Sequence, residues 1–189
     1  MTTQDKILEV PIQHLLEEAD RRAQAEGELQ YTMRGLRAQQ AGKLGELIGE
    51  EHLRRCNVPY EPHFTTEFDV IFYNMGEREK LEFKTKERTV VPREDYDCTA
   101  PAYNKEHQVV DRYMFISLVS TDRKSDDIRR FTRGFILGSI HKEAFEQKSQ
   151  LWTTSDFDWS NGWKPTVDCW NVLVSELQPP FQPSLAFQQ

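Results

Sequence analysis

The chain is poor in cysteine, with only Cys56, Cys98 and Cys169, far apart, among its 189 residues. That number and spacing support neither a disulfide framework nor a zinc site, and the three thiols are expected to be reduced and structural. It also lacks any run of 18 apolar residues, and its first thirty positions carry Asp5, Glu9, Glu17, Glu18 and Asp20. Neither a membrane span nor a signal peptide is expected, so the reading is an intracellular, cytoplasmic protein with no membrane partner. No internal repeat and no interdomain linker is visible, and the length suits one domain with its own core.

Positive charge is scarce as well. Lys and Arg number 24 against 31 Asp and Glu, a net charge of −7, whereas phosphate binding normally brings a basic surface. This argues against a broadly basic nucleic-acid coat. It leaves room for local basic clusters, one at Lys84, Lys86, Arg88 and Arg93, another at Arg123, Lys124, Arg129, Arg130 and Arg133.

What is present is a hairpin pattern. Phe68-Asp69-Val70-Ile71-Phe72-Tyr73 and Leu81-Glu82-Phe83-Lys84-Thr85-Lys86 are separated by a segment with Asn74 and Gly76, which reads as two antiparallel strands and a turn. Alternation places Glu82 and Lys84 on one face and Leu81, Phe83 and Thr85 on the other. Charges in the middle of a sheet cost several kcal/mol, on the order of that for each ion, unless they are paired or hold a metal. Upstream, residues 34–56 are rich in Ala, Leu, Glu, Arg and Gln, with an apolar stripe of Leu36, Leu44, Leu47, Ile48 and Leu53, and predict a long helix ended at Pro59. Glu46 and Glu50 project from one side of it. Gly42, Gly45 and Gly49 each cost about 1 kcal/mol there relative to Ala, which suggests close approach of another backbone or of DNA.

Asp69 followed by Glu82-Phe83-Lys84, after an acidic helix, resembles the PD-(D/E)xK nuclease superfamily, with Phe68 standing where many members have proline. The resemblance covers roughly residues 34–115. It implies an α/β fold with a restriction-endonuclease-like core: a central mixed sheet of four or five strands flanked by helices. It further implies metal-dependent hydrolysis of DNA phosphodiester bonds, with Asp69, Glu82 and the backbone carbonyl of Phe83 holding Mg2+ or Mn2+, and Lys84 acting on the attacking water and the transition state. The helix carboxylate would be Glu46 rather than Glu50, because it follows Gly45 in the Gly-rich half. Gln108, on a helix after the Lys84 strand, would reach towards the site. Lys86, Arg88 and Lys105 would contact the nucleic acid. Related enzymes are commonly dimers, and the compact size would suit a phage-encoded member.

The rest of the chain supplies the frame. Ile7, Leu8, Ile12, Leu15 and Leu16 predict an amphipathic helix in an N-terminal extension, residues 1–33, laid against the core or a second subunit. Residues 87–103, with Pro92 and Pro101, read as a loop or lid. Residues 103–112 read as a short helix, 113–120 and 135–138 as strands, 141–148 as a helix, and 171–177 as a final edge strand. Residues 178–189 form a tail. Two other readings stay open: a structural ion-pair network in which Lys84 and Lys86 satisfy Asp69 and Glu82, and a non-catalytic DNA- or protein-binding module such as an acidic viral inhibitor of a host protein.

Overall fold

The computed structural model describes residues 7–26, 35–63, 67–104, 108–122, 124–159 and 162–182. Strand β1 (Leu8–Val10) precedes helices α1 (Leu16–Glu26) and α2 (Gly35–Arg55). Then come β2 (Tyr60–Pro62), β3 (Val70–Asn74), β4 (Glu77–Arg88), β5 (Asp97–Pro101), β6 (Arg112–Ser120), β7 (Phe131–His141), α3 (Lys142–Lys148), β8 (Gln150–Trp152) and β9 (Cys169–Leu173). The architecture is α/β. A mixed sheet runs in the order β1-β7-β6-β4-β3-β2, and a separate sheet runs β5-β9-β8. Within the large sheet β4 and β6 are parallel, while its other neighbours are antiparallel.

The β3–β4 hairpin pairs Val70 with Leu81 through Asn74 with Glu77. Its two-residue turn holds Met75 at φ 52° and Gly76 at φ 89°. Positive φ at both positions matches the twist of the flanking strands, and glycine takes it without steric cost. Alternation along β4 divides two cores. Leu81 and Phe83 join Met114, Ile116 and Ile136 beneath α1 and α2. On the other face Tyr113, Phe115, Phe135 and Leu137 meet Phe145 of α3 and Cys98, Ala100 and Val172 of the small sheet. The large sheet is thus the middle of three layers. Burying each large apolar side chain there contributes about 1.5–3 kcal/mol.

Several expectations change. The N-terminal segment does not begin as a helix: Leu8–Val10 pairs along β7, Leu8 opposite Ile136, and Pro11 separates that strand from α1. The buried side of α1, Leu16, Ala19 and Ala23, is taken up within this chain. The large sheet has six strands rather than four or five. Residues 87–103 are not all loop, because β4 continues to Arg88 and residues 97–101 form β5. The predicted edge strand is instead β9, the centre of the small sheet, and it ends at Leu173 before a 3-10 turn. Pairing of β5 with β9 joins segments far apart in sequence, and short segments such as Asp97–Pro101 carry little pattern of their own. All three cysteines are buried and unpaired. Among the described residues, no helix is long and apolar enough to cross a membrane.

Candidate active site

Asp69 lies one residue before β3, where the hairpin ladder ends. Its N–H donates to Leu81 O at 3.1 Å, and its Oδ2 accepts the Phe83 N–H at 2.7 Å. The backbone of β4 therefore fixes the Asp69 carboxylate beside Glu82, the residue next in register after the Val70–Leu81 pair.

Glu82, Lys84 and Gln108 form a closed triangle. Lys84 Nζ donates to Glu82 Oε1 at 2.8 Å and to Gln108 Oε1 at 3.0 Å, while Gln108 Nε2 donates to the same Glu82 oxygen at 2.6 Å. The Lys84 and Glu82 side chains are each 11% exposed, so the pair is largely removed from water yet still reachable. Lys142 Nζ donates to the Gln108 carbonyl at 3.4 Å and so ties α3 to this residue. In these bonds Asp69 uses Oδ2 and Glu82 uses Oε1.

Helix α2 brings the third carboxylate. It reaches β4 because two of its glycines permit contact: a Cβ on Gly45 would lie 1.8 Å from Thr85 Oγ1, and one on Gly49 would lie 2.2 Å from the Phe83 ring. Gly42 faces open space. Glu46, beside Gly45, accepts from Lys43 Nζ at 3.1 and 3.0 Å, and Lys43 also pairs with Glu26 at 2.6 Å. Glu50 is directed instead to Arg22 of α1, at 3.5 Å.

These positions shape the acidities. Burial pushes the Asp69 carboxyl well above its ordinary value, and the neighbouring Glu82 and Glu46 charges add to the rise. The Phe83 N–H and Lys84 oppose it. Burial also raises Glu46, against the pull of Lys43, with Glu26 and Glu50 pushing it further up. Two glutamates crowding a buried aspartate favour binding of either protons or a cation.

The structure thus brings together Asp69, Glu82, Lys84, Gln108 and, through its charge, Glu46. Phe83 stands between Glu82 and Lys84 with its ring against Gly49. Lys86 and Arg88 are carried to the layer between the sheets. Lys86 Nζ donates to Thr99 Oγ1 at 2.9 Å and lies 5.4 Å from the centre of the Trp163 ring. Arg88 donates to Ser117 Oγ and to Asp97 O, at 2.9 and 2.6 Å, and stacks on Tyr96. Burial lowers Lys86 to about 8. Lys105 lies outside the described residues. In the second basic cluster, Arg130 is 3% exposed and donates to Gln40 Oε1 and to Arg37 O. Arg129 pairs with Asp127 and Arg133 with Glu9.

From sequence, Lys43 and Arg54 are the two candidate partners of the helix glutamates, and the structure pairs Lys43 with Glu46 at i, i+3 spacing. One contributor was not singled out from sequence. Tyr113 has no such local signal. It reaches the site because β4 and β6 run parallel with Glu82 opposite Tyr113, which sets the Lys84 ammonium 5.9 Å from its ring centre. Among the described residues, no group of three or more His, Cys, Asp or Glu is disposed as a metal cage. Comparison with known protein families finds no matching family, and comparison with curated proteins finds no matching relative, so the geometry of this site stands as the ground for a functional reading.

Proposed function

We propose that this chain is a metal-dependent deoxyribonuclease of PD-(D/E)xK type, with a restriction-endonuclease-like core. One observation carries the reading: a buried Asp69 held beside Glu82 and within the field of Glu46, with a lysine on the same strand face. A purely structural network would put a cation on its most buried carboxylate, whereas here the lysines pair with Glu82 and Glu46, and Asp69 has its pKa raised by burial and by those two carboxylates. The donor set suits Mg2+ or Mn2+. It is all oxygen, and Mg2+ usually takes only one or two carboxylates together with waters and substrate phosphate. A closed cage of three protein ligands is not required.

Asp69 and Glu82 would hold the ion, and Glu46 would complete a second position or act through water. When bound, the ion supplies an activated water and neutralises charge on the phosphate. Lys84 would set its ammonium against the attacking water and the developing negative charge. Gln108 holds the Lys84 ammonium and the Glu82 carboxylate at a fixed separation, so neither must be ordered during the reaction. The Phe83 N–H keeps Asp69 aimed at the same point.

The test is cleavage of circular, linear and branched DNA with Mg2+, Mn2+ or EDTA, beside Lys84→Ala. Metal-dependent products that vanish in the variant are expected. A folded protein that cuts no form of DNA and binds no metal overturns the reading.

A second reading rests on the Lys84–Glu82–Gln108 triangle, which already pairs the Glu82 charge with an ammonium, and on the net charge of −7. On that reading the chain is a non-catalytic module that binds DNA or a host protein. Asp69→Ala would then leave partner binding intact.

A further inference from the structure

Beside the candidate site is a crevice lined by Tyr113, Phe145, Trp170, Pro101, Ser149 and Glu146. It leaves about 30 Å³ for the centre of a water-sized group, and its empty space, open solvent at the mouth included, is about 350 Å³. The inner part admits the edge of a ring rather than a whole side chain. Two of its walls, Tyr113 and Phe145, meet at 5.2 Å and 58°, giving an inclined aromatic surface. The buried hydroxyl of Ser149 has no hydrogen-bond partner among the described residues, and an unsatisfied buried polar group in a wall that is apolar apart from Glu146 calls for a polar ligand atom.

Tyr113 belongs to both places. Its strand position is opposite Glu82, and its ring lies under the Lys84 ammonium at 5.9 Å. On the nuclease reading, the scissile phosphate sits at Glu82 and Lys84. The group that hangs one sugar away from a phosphate is a nucleobase, flat, aromatic-compatible and edged with hydrogen-bonding atoms.

We propose that this crevice receives the edge of an unpaired nucleobase from the nucleotide adjoining the scissile phosphate, with Tyr113, Phe145 and Trp170 as its walls and Ser149 as its polar contact. The proposal rests on the nuclease reading and narrows its substrate. A base inside a duplex is stacked and paired, so it cannot enter without being extruded. The preferred substrates are therefore single strands, frayed ends or the unpaired arms of branched DNA. Stacking on such walls tolerates different bases, since each has a π face, and sequence preference should be weak.

The experiment uses the full chain with Mg2+ and a set of single-stranded oligonucleotides, each with one abasic site, beside the same sequence as closed duplex. Expected is cleavage of the intact single strand about tenfold or more faster than of the duplex, and a comparable loss when the abasic site falls at one position next to the cut. Ser149→Leu, which fills the crevice from its wall, should abolish that positional loss. Ser149→Val serves the same purpose if the larger side chain prevents folding. Cleavage that is indifferent to the abasic position overturns the crevice proposal and leaves the nuclease intact. Without cleavage the nuclease reading fails, and binding decides. Single-strand binding weakened by the abasic site still supports the crevice, whereas binding unaffected by it, or no binding, overturns it.

Discussion

Gly45 and Thr85 are in direct contact across the helix–sheet interface, so close that any Cβ on residue 45 would fall 1.8 Å from the threonine hydroxyl oxygen. This contact sets the height of α2 above β4 and hence the distance of Glu46 from Asp69. Gly45→Ala should destabilise the fold by about 1–3 kcal/mol through overpacking, measured by denaturant unfolding. It should also lower metal-dependent cleavage by the protein that remains folded. Adding Thr85→Ala, which removes Oγ1 and Cγ2 and leaves only the Cβ at 2.9 Å, should recover part of both losses. Additive losses in the double variant would show that the contact does not position the helix.

Asp69 should destabilise the ionised fold. Its pKa is raised in the folded state, so the folded protein holds the proton more tightly than the unfolded chain. Stability is then full below the ordinary value of 3.8 and declines as pH rises through the raised folded value. Asp69→Asn keeps the acceptor for the Phe83 N–H and removes the charge. Its Tm at neutral pH should exceed that of the wild type by a few degrees, and the gain should vanish near pH 3. Mg2+ should raise the wild-type Tm by linkage and leave the variant unchanged. Equal Tm values at all pH would show that burial of Asp69 carries no such cost.

Glu46 and Glu50 occupy one helix side but face different partners. Glu46→Gln should reduce metal-dependent cleavage about 100-fold or more, the scale of a lost catalytic or electrostatic group. Glu50→Gln should act mainly by loosening the Arg22 contact between α1 and α2, a change of about 1 kcal/mol or less in stability. Parallel kinetics and unfolding curves on the two variants check this. Equal kinetic losses, or a larger one for Glu50, would sink the assignment.

Lys86 carries its ammonium into the layer between the sheets. Burial, aided by Arg88, lowers it from 10.5 to about 8. The folded protein therefore sheds this proton more readily than the unfolded chain, so stability gains as pH rises from about 8 through 10.5. Lys86→Met should be more stable than wild type at neutral pH by about 1–3 kcal/mol, after losing the Thr99 hydrogen bond, with the difference gone above pH 10.5. Urea titrations at several pH values measure it. A variant that is no more stable but binds DNA more weakly would place Lys86 on the substrate instead.

The sequence by itself determined the hairpin, the long helix and the division of β4 into two faces. Those follow from local chemistry: β-branched and aromatic runs, Asn74 and Gly76 at the turn, and strict alternation from Leu81 to Thr85. The same alternation put Glu82 beside Lys84 without any knowledge of the fold. The glycines of α2 announced a close approach, but the approach could have been to DNA, and only the folded chain shows Thr85 and Phe83 there. Tertiary structure also decided that Leu8–Val10 is a strand, because the edge of β7 offers backbone partners that an isolated amphipathic segment lacks. It joined Asp97–Pro101 to β9, made Tyr113 a neighbour of Glu82, and turned Lys86 and Arg88 into links between layers. Each of these depends on pairing between segments distant in sequence, where the free energy resides in the contact and neither segment carries its signal alone.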